Sequence, residues 1–305
     1  MKERDFITIA DWRADELREA LELALHLKRE HRAGISHQDV LRGKTLAMIF
    51  QKPSLRTRVS FEVGMTHLGG HALYLGPEDI KLGKRETTED IALNLSLYVD
   101  GIMARVFGHD IIEEMARYAT VPVINGLSDL HHPCQALGDM LTIRERRGDL
   151  GGAALTFIGD GNNVAHSLIE ASARLGVAFR IACPEGHEPD HEVVAWARAE
   201  GGTVEVHHNP REAARGADVL YTDVWASMGQ EEEADARRNR FQGFTVDVDL
   251  VEAANPGCLV MHCLPAHYGE EVSYEASRLP NSVLFDQAEN RLHAQKAVLA
   301  LLLRA

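Results

Sequence analysis

The 305-residue chain has little of what marks several large classes of protein. Its four cysteines, Cys134, Cys183, Cys258 and Cys263, form no C-x-x-C pair. That spacing offers neither a zinc ribbon nor a dithiol redox motif, so no metal is expected and each thiol reads as a buried side chain or a lone reactive group. No apolar run approaches the roughly 18 residues of a membrane span, and the N-terminal MKERDFITIADW lacks the apolar stretch of a secretory signal. A cytoplasmic protein without a membrane partner is the expectation. Cations are scarce: 32 Lys and Arg against 46 Asp and Glu leave a formal charge of −14. A general nucleic-acid binder needs the opposite balance. Low-complexity segments and short repeats are also missing.

What is present describes an ordinary globular chain, 45% hydrophobic and 26% charged, long enough for two domains of about 150 residues each. Asp11 followed by an amphipathic stretch from Trp12 to Lys28 predicts a capped helix. Apolar runs of strand length (TLAMIF, HALYL, DGIMARVF, VPVIN) then alternate with helical stretches, the pattern of βαβ units in a parallel sheet covered on both faces. After the helix 136–147 comes RGDLGG, which predicts a boundary. A second series follows: AALTFIGD, FRIACP, VEVHH, DVLYTDVW and CLVMHCLP. The fold class predicted is α/β, with two tandem parallel-sheet domains at 1–147 and 148–285. A helix over 286–305, too short to span a bilayer, packs against a domain. The polar segment 225–242, with SMGQEEEADARRNR, reads either as a binding loop or as a solvated surface helix.

In this acidic chain one stretch concentrates positive charge: KPSLRTR, residues 52–58. Pro53 ends the strand before it and Ser54 can cap the helix after it. The first backbone N–H groups of that helix, with Ser54, Thr57 and the forks of Arg56 and Arg58, suit a phosphate or carboxylate. Alone, the stretch reads first as a capped helix with solvated arginines. Arg105 at the end of GIMAR, and HHPCQ after VPVIN, fall at carboxyl ends of parallel strands, the edge where open α/β sheets bind ligands. Ser54, Arg56, Thr57, Arg105, His132 and Gln135 thus share one rim, with donors able to polarise a carbonyl and no covalent nucleophile.

In the second half, GDGNN follows a strand and suggests a dinucleotide fingerprint. Val164 replaces its third glycine, and Cys183-Pro184 stands where an acidic residue should end the next strand. Asn163 remains as a two-way hydrogen-bonding group. Asp223 and Ser227, in DVWASMG after another strand, could hold the ammonium and carboxylate of an amino acid. His262-Cys263-Leu264-Pro265 ends a further strand, where a thiol beside basic groups would have a lowered pKa.

Taken in order, SLRTR, HPCQ, GDGNN, DVWASMG and HCLP resemble the motifs of the aspartate/ornithine transcarbamylase family, from about Phe6 to the end. SMG and HCLP are the parts similar to its ornithine branch. The resemblance implies transfer of a carbamoyl group from carbamoyl phosphate to the δ-amine of L-ornithine, giving citrulline and phosphate, with no cofactor. It implies a C-terminal helix returning to the first domain, and a homotrimer or an assembly of trimers. Ser54, Leu55, Arg56, Thr57 and Arg105 would meet the phosphate. Arg56, Thr57, Arg105 and His132 would stabilise charge on the carbonyl oxygen, and Gln135 would fix the carbamoyl amide. Asn163, Asp223, Ser227 and Met228 would hold ornithine. Cys263 would sit by the δ-amine, the Leu264 carbonyl would accept from the carbamoyl NH₂, and Arg291 would reach back to the substrate.

Two positions depart from the family pattern. Leu55 replaces a threonine, so that position is expected to act through its backbone amide; Lys81 stands where glutamine is usual. Another amine (acylornithine, putrescine or lysine), a nucleotide-dependent oxidoreductase and a non-catalytic binder are the rival readings.

Overall fold

The structure, a computed structural model, describes residues 4–80, 82, 85–226 and 234–304. Two compact units are present: Met1–Leu141 with Asn290–Ala305, and Thr142–Glu289.

The first unit opens with Trp12 buried against Phe6 and donating its indole N–H to the Asp5 carbonyl at 2.9 Å. Helix α1 (Ala14–Arg32) begins later than the Asp11 cap predicted. Asp11 instead accepts from Thr8 N, and Glu16 reaches back to the Arg13 N–H at 2.8 Å, so the N-terminal amide is satisfied from inside the helix. The chain continues through β1 (Thr45–Phe50), α2 (Leu55–His67), β2 (His71–Leu75), α3 (Pro77–Ile80), α4 (Thr88–Ser96), β3 (Gly101–Arg105), α5 (His109–Tyr118), β4 (Val123–Leu127) and the start of α6 (Pro133–Arg147). The strands are parallel in the order β2-β1-β3-β4. From Leu46 to Phe50, and along all of β3, every side chain is buried, as a doubly covered sheet requires.

Strand order reverses between β1 and β3. Their carboxyl ends are level, with Phe50 opposite Arg105, and the β3–β4 register shifts between Ala104 and Arg105. The latter part of α12 (Leu284–Leu303) belongs to this unit, as expected of the C-terminal helix. Close approach is bought with glycine: a Cβ on Gly138 would lie 3.3 Å from Arg291 Cγ, and one on Gly101 only 2.6 Å from Leu303. Lys28 spans α1 to α12, donating to Asn290 Oδ1 at 2.7 Å.

The second unit continues with β5 (Ala154–Ile158), α7 (Asn163–Leu175), β6 (Ala178–Ala182), α8 (His191–Ala199), β7 (Val204–His207), α9 (Pro210–Ala214), β8 (Val219–Thr222), α10 (Ala234–Arg240), α11 (Val248–Glu252) and β9 (Leu259–His262). Its sheet is parallel, in the order β7-β6-β5-β8-β9. The reversal falls between β5 and β8. An apolar cluster that includes Leu220, Trp225, Phe241, Val246 and Val260 packs within this unit.

Candidate active site

Each unit gathers its chemistry where its own strand order reverses, the crevice at which open α/β sheets bind ligands.

In the first unit, Ser54 caps α2, its Oγ accepting from Thr57 N at 3.4 Å and donating to Thr57 Oγ1 at 3.2 Å. Arg291 on α12 donates to the same Thr57 Oγ1 at 3.0 Å, so a residue far along the chain enters the cradle. Arg105 is buried at the end of β3, and His132 is buried just before α6. Burial first, then the charges of Arg291, Arg105 and Arg56, hold the His132 pKa well below the ordinary 6.5. The ring is therefore a neutral donor at physiological pH. Three guanidinium groups thus act on one imidazole, and such positive charge suits a dianion with a polarisable carbonyl.

Leu55 is the first residue of α2 and its side chain is 75% exposed. Its backbone N–H is one of the amides that a helix start leaves without an intrahelical acceptor. Arg58 departs from the predicted anion site: its guanidinium lies 3.9 Å from the centre of the Tyr74 ring and donates to Glu62. Two residues along a helix is a turn of about 200°, so Arg56 and Arg58 cannot both face one ligand. Within HPCQ, Gln135 donates Nε2 to Asp139 Oδ1 at 2.8 Å. The Cys134 thiol donates to the Asn125 carbonyl, and burial pushes its pKa up to about 12, which marks it as a packing residue.

In the second unit, the turn from β5 to α7 has Asn162 as its cap, accepting from Val164 N and Ala165 N. Gly161 is required by protein, not by a nucleotide: a Cβ there would stand 2.2 Å from Pro189 N. The partial dinucleotide fingerprint is thus explained by chain packing. Asn163 is buried at the first position of α7. Asp223, just beyond β8, accepts from Asn162 Nδ2 at 2.8 Å, from the Cys263 thiol at 2.9 Å and from Val224 N. The thiol expected beside basic groups is therefore hydrogen-bonded to a carboxylate.

The HCLP turn has a cis Leu264-Pro265 bond, with Leu264 at φ 57°. Leu264 N donates to His262 Nδ1 at 2.8 Å, so His262 carries its hydrogen on Nε2, facing Glu271 Oε1 at 3.0 Å. The His262 backbone N–H donates to Gln287, whose amide donates in turn to the Tyr221 hydroxyl. Asp223, His262 and Cys263 bring one ligand atom each within 4.8 Å of one another, a mixed O/N/S set of the kind zinc accepts, although both His262 nitrogens already have protein partners. Ser227, Met228 and Lys81 lie outside the described residues. Arg237 on α10 donates through Nη1 to Asp160 Oδ2 and to the Trp225 carbonyl, each at 3.0 Å.

Asn162, Asp139, Glu271, Gln287 and Arg237 are absent from the sequence-based set. Asp139 is legible in principle, four residues after Gln135 on one helix face. The others act through folded proximity, and Glu271 lies nine residues from its histidine with no periodic relation to it.

The chain matches two domains in sequence: "Aspartate/ornithine carbamoyltransferase, carbamoyl-P binding domain" over residues 4–145, and "Aspartate/ornithine carbamoyltransferase, Asp/Orn binding domain" over residues 151–302. It is 56% identical to the ornithine carbamoyltransferase of Pyrococcus abyssi, over 99% of this chain and 96% of that protein. It is also 56% identical to the anabolic ornithine carbamoyltransferase of Pyrococcus furiosus, over 98% of this chain and 96% of that protein. The solved ornithine carbamoyltransferase of Pyrococcus furiosus superposes with a TM-score of 0.96, covering 99% of this chain and 97% of the other. That of Thermus thermophilus superposes with a TM-score of 0.90 at 47% identity, covering 98% and 99%.

Proposed function

This chain belongs to the aspartate/ornithine carbamoyltransferase family, and on that premise we infer that it transfers the carbamoyl group of carbamoyl phosphate to the δ-amine of L-ornithine. The products are L-citrulline and phosphate, in the direction used in arginine biosynthesis; one relative is named as anabolic. In this reaction the amine nitrogen attacks the carbonyl carbon, a C–N bond forms, the C–O bond to phosphorus breaks, and the amine gives up a proton. The barrier falls when charge on the carbonyl oxygen and the leaving phosphate is met by groups already in place.

The observation that carries this reading is the bond from Arg291 to Thr57 Oγ1 at the Ser54-capped start of α2, which brings a guanidinium of the last helix to the turn that carries Arg56. Ser54, the Leu55 amide, Arg56, Thr57 and Arg105 take the phosphate. Neutral His132, with Arg105, donates to the carbonyl oxygen. Asn163, Asp223, Ser227 and Met228 hold the amino-acid end of ornithine, and Cys263, through its bond to Asp223, partners the δ-amine. A colorimetric citrulline assay with carbamoyl phosphate and a panel of amines tests the assignment. Ornithine is expected to exceed acylornithine, putrescine and lysine, and preference for any of these overturns the substrate.

The assembly in this reading is a homotrimer or a multiple of it, in the cytoplasm where both soluble substrates would be met. Leu97 and Tyr98, 77% and 76% exposed on the first unit with Leu93 nearby, are apolar surface that a neighbouring copy would cover. Light scattering of the active enzyme is expected to give a multiple of three chains, and an active monomer removes the assembly from the reading.

A further inference from the structure

Gln135 and Asp139 lie one turn apart on α6, and both side chains are buried, at 1% and 0% exposure. Gln135 Nε2 donates to Asp139 Oδ1 at 2.8 Å. A carboxylate accepts hydrogen bonds and does not donate them, so the amide nitrogen must be the atom turned toward Asp139. Its oxygen, Oε1, is then turned the other way, and it is buried with no donor among the described residues. An acceptor in that state is costly unless something that enters the site donates to it.

Resting on the carbamoyl-transfer reading, we propose that Asp139 is a positioning residue that presents Gln135 Oε1 to the bound acyl phosphate. It thereby makes the half-site selective for an acyl group bearing N–H, the carbamoyl –NH₂, over one bearing methyl in the same place. Carbamoyl phosphate and acetyl phosphate share the carbonyl and the phosphate, so the cationic groups of the cradle cannot tell them apart. They differ where one offers two N–H donors and the other a methyl. A buried acceptor aimed at that point is satisfied by the first and stranded by the second, and sites built this way discriminate far better than sites that sense size alone.

Asp139→Asn tests the role, because an asparagine can donate as well as accept. With Asn at 139, the Gln135 amide can turn over, present Nε2 to the ligand and lose the distinction. Acetyl phosphate and inorganic phosphate are measured as competitive inhibitors against carbamoyl phosphate during citrulline formation, in the wild type and in D139N. The wild type is expected to favour carbamoyl over acetyl phosphate by about 100-fold or more. In D139N that ratio is expected to fall by about ten-fold or more, with the inhibition constant of inorganic phosphate held within about two-fold. A merely structural role would weaken all three ligands together.

A wild-type ratio near one, an unchanged ratio in folded D139N, or a parallel loss for all three ligands overturns the proposal. D139S removes the same carboxylate with less bulk and repeats the test if D139N melts early. Failure of both variants to fold assigns Asp139 to the core and likewise overturns it. If the wild type binds carbamoyl phosphate but forms no citrulline, the functional reading fails instead. The acyl-group ratio, read then from binding competition, decides the role of Asp139 separately.

Discussion

The two units answer the same topological opportunity with opposite charge. In the first, the turn after β1 and the end of β3 flank the reversal of strand order and carry Ser54, Arg56, Thr57 and Arg105. In the second, the turn after β5 and the end of β8 flank the equivalent reversal and carry Asn162, Asn163 and Asp223. The first set, guanidinium groups with helix-start amides, has the charge that suits a dianion. The other centres on a carboxylate that accepts from an amide and a thiol, a setting for an ammonium. A parallel sheet supplies the place, and a few turn residues supply the sign.

Substitutions that reach only one half should separate the two, and the largest effect is expected from Arg56→Ala. Removing one preorganised donor from the developing charge typically lowers turnover by about 10²–10³. Here kcat/KM for carbamoyl phosphate should fall by about 10³, since in the proposed function the same group also binds the phosphate. Near-normal turnover would break the assignment of the first half. Asp223→Asn is the mirror experiment. It should cost about 10² in kcat/KM for ornithine while leaving the inhibition constant of inorganic phosphate within about two-fold. Equal losses for both ligands would show that the halves are not separable.

The units also differ in what pH does to them. Burial holds His132, His67 and His109 below their usual pKa, and brings Lys296 down to about 8; all four lie in the first unit. A base whose folded pKa is depressed binds fewer protons folded than unfolded, so stability falls as pH drops through the unfolded value. For the histidines, that loss begins near 6.5 and grows until the folded pKa is reached. For Lys296, the cost is present in full below about 8 and is relieved as pH rises toward 10.5. Hydrogen exchange at pH 5.5 against pH 7 should therefore show the first unit losing protection ahead of the second. The reverse order would mean that other groups govern acid stability. Lys296→Met should raise the melting temperature at pH 7 and flatten its rise above pH 8.

The same contrast explains what the sequence made legible. Strands, their carboxyl ends and helix starts follow from apolar runs broken by Pro, Gly and Ser, so the rim of each sheet could be read before folding. The family resemblance added Arg291, whose bond to Thr57 spans 234 positions of chain. What failed was orientation. Arg58 is as cationic as Arg56, yet helical geometry turns it onto Tyr74. Cys263 was read from its neighbours in sequence, while its hydrogen bond goes to a residue 40 positions away. Each error concerns which way a side chain points or what a distant segment brings to it, and neither is written in local composition.

The smallest expected effects are at Leu55, and they bear on how the first half differs from a mere cluster of arginines. Its side chain is exposed, so Leu55→Thr should change the KM for carbamoyl phosphate by less than about two-fold, because the backbone N–H is the same in both. Leu55→Pro removes that N–H. A proline at the first helical position is tolerated, and Ser54 already has the extended backbone (φ −152°, ψ 116°) that a following proline demands. The variant should therefore fold, keep every charge in the cradle and still bind carbamoyl phosphate about ten-fold more weakly, the cost of one charge-assisted hydrogen bond. If L55P binds as the wild type does, the helix start contributes no direct donor here, and the anion is held by guanidinium charge alone.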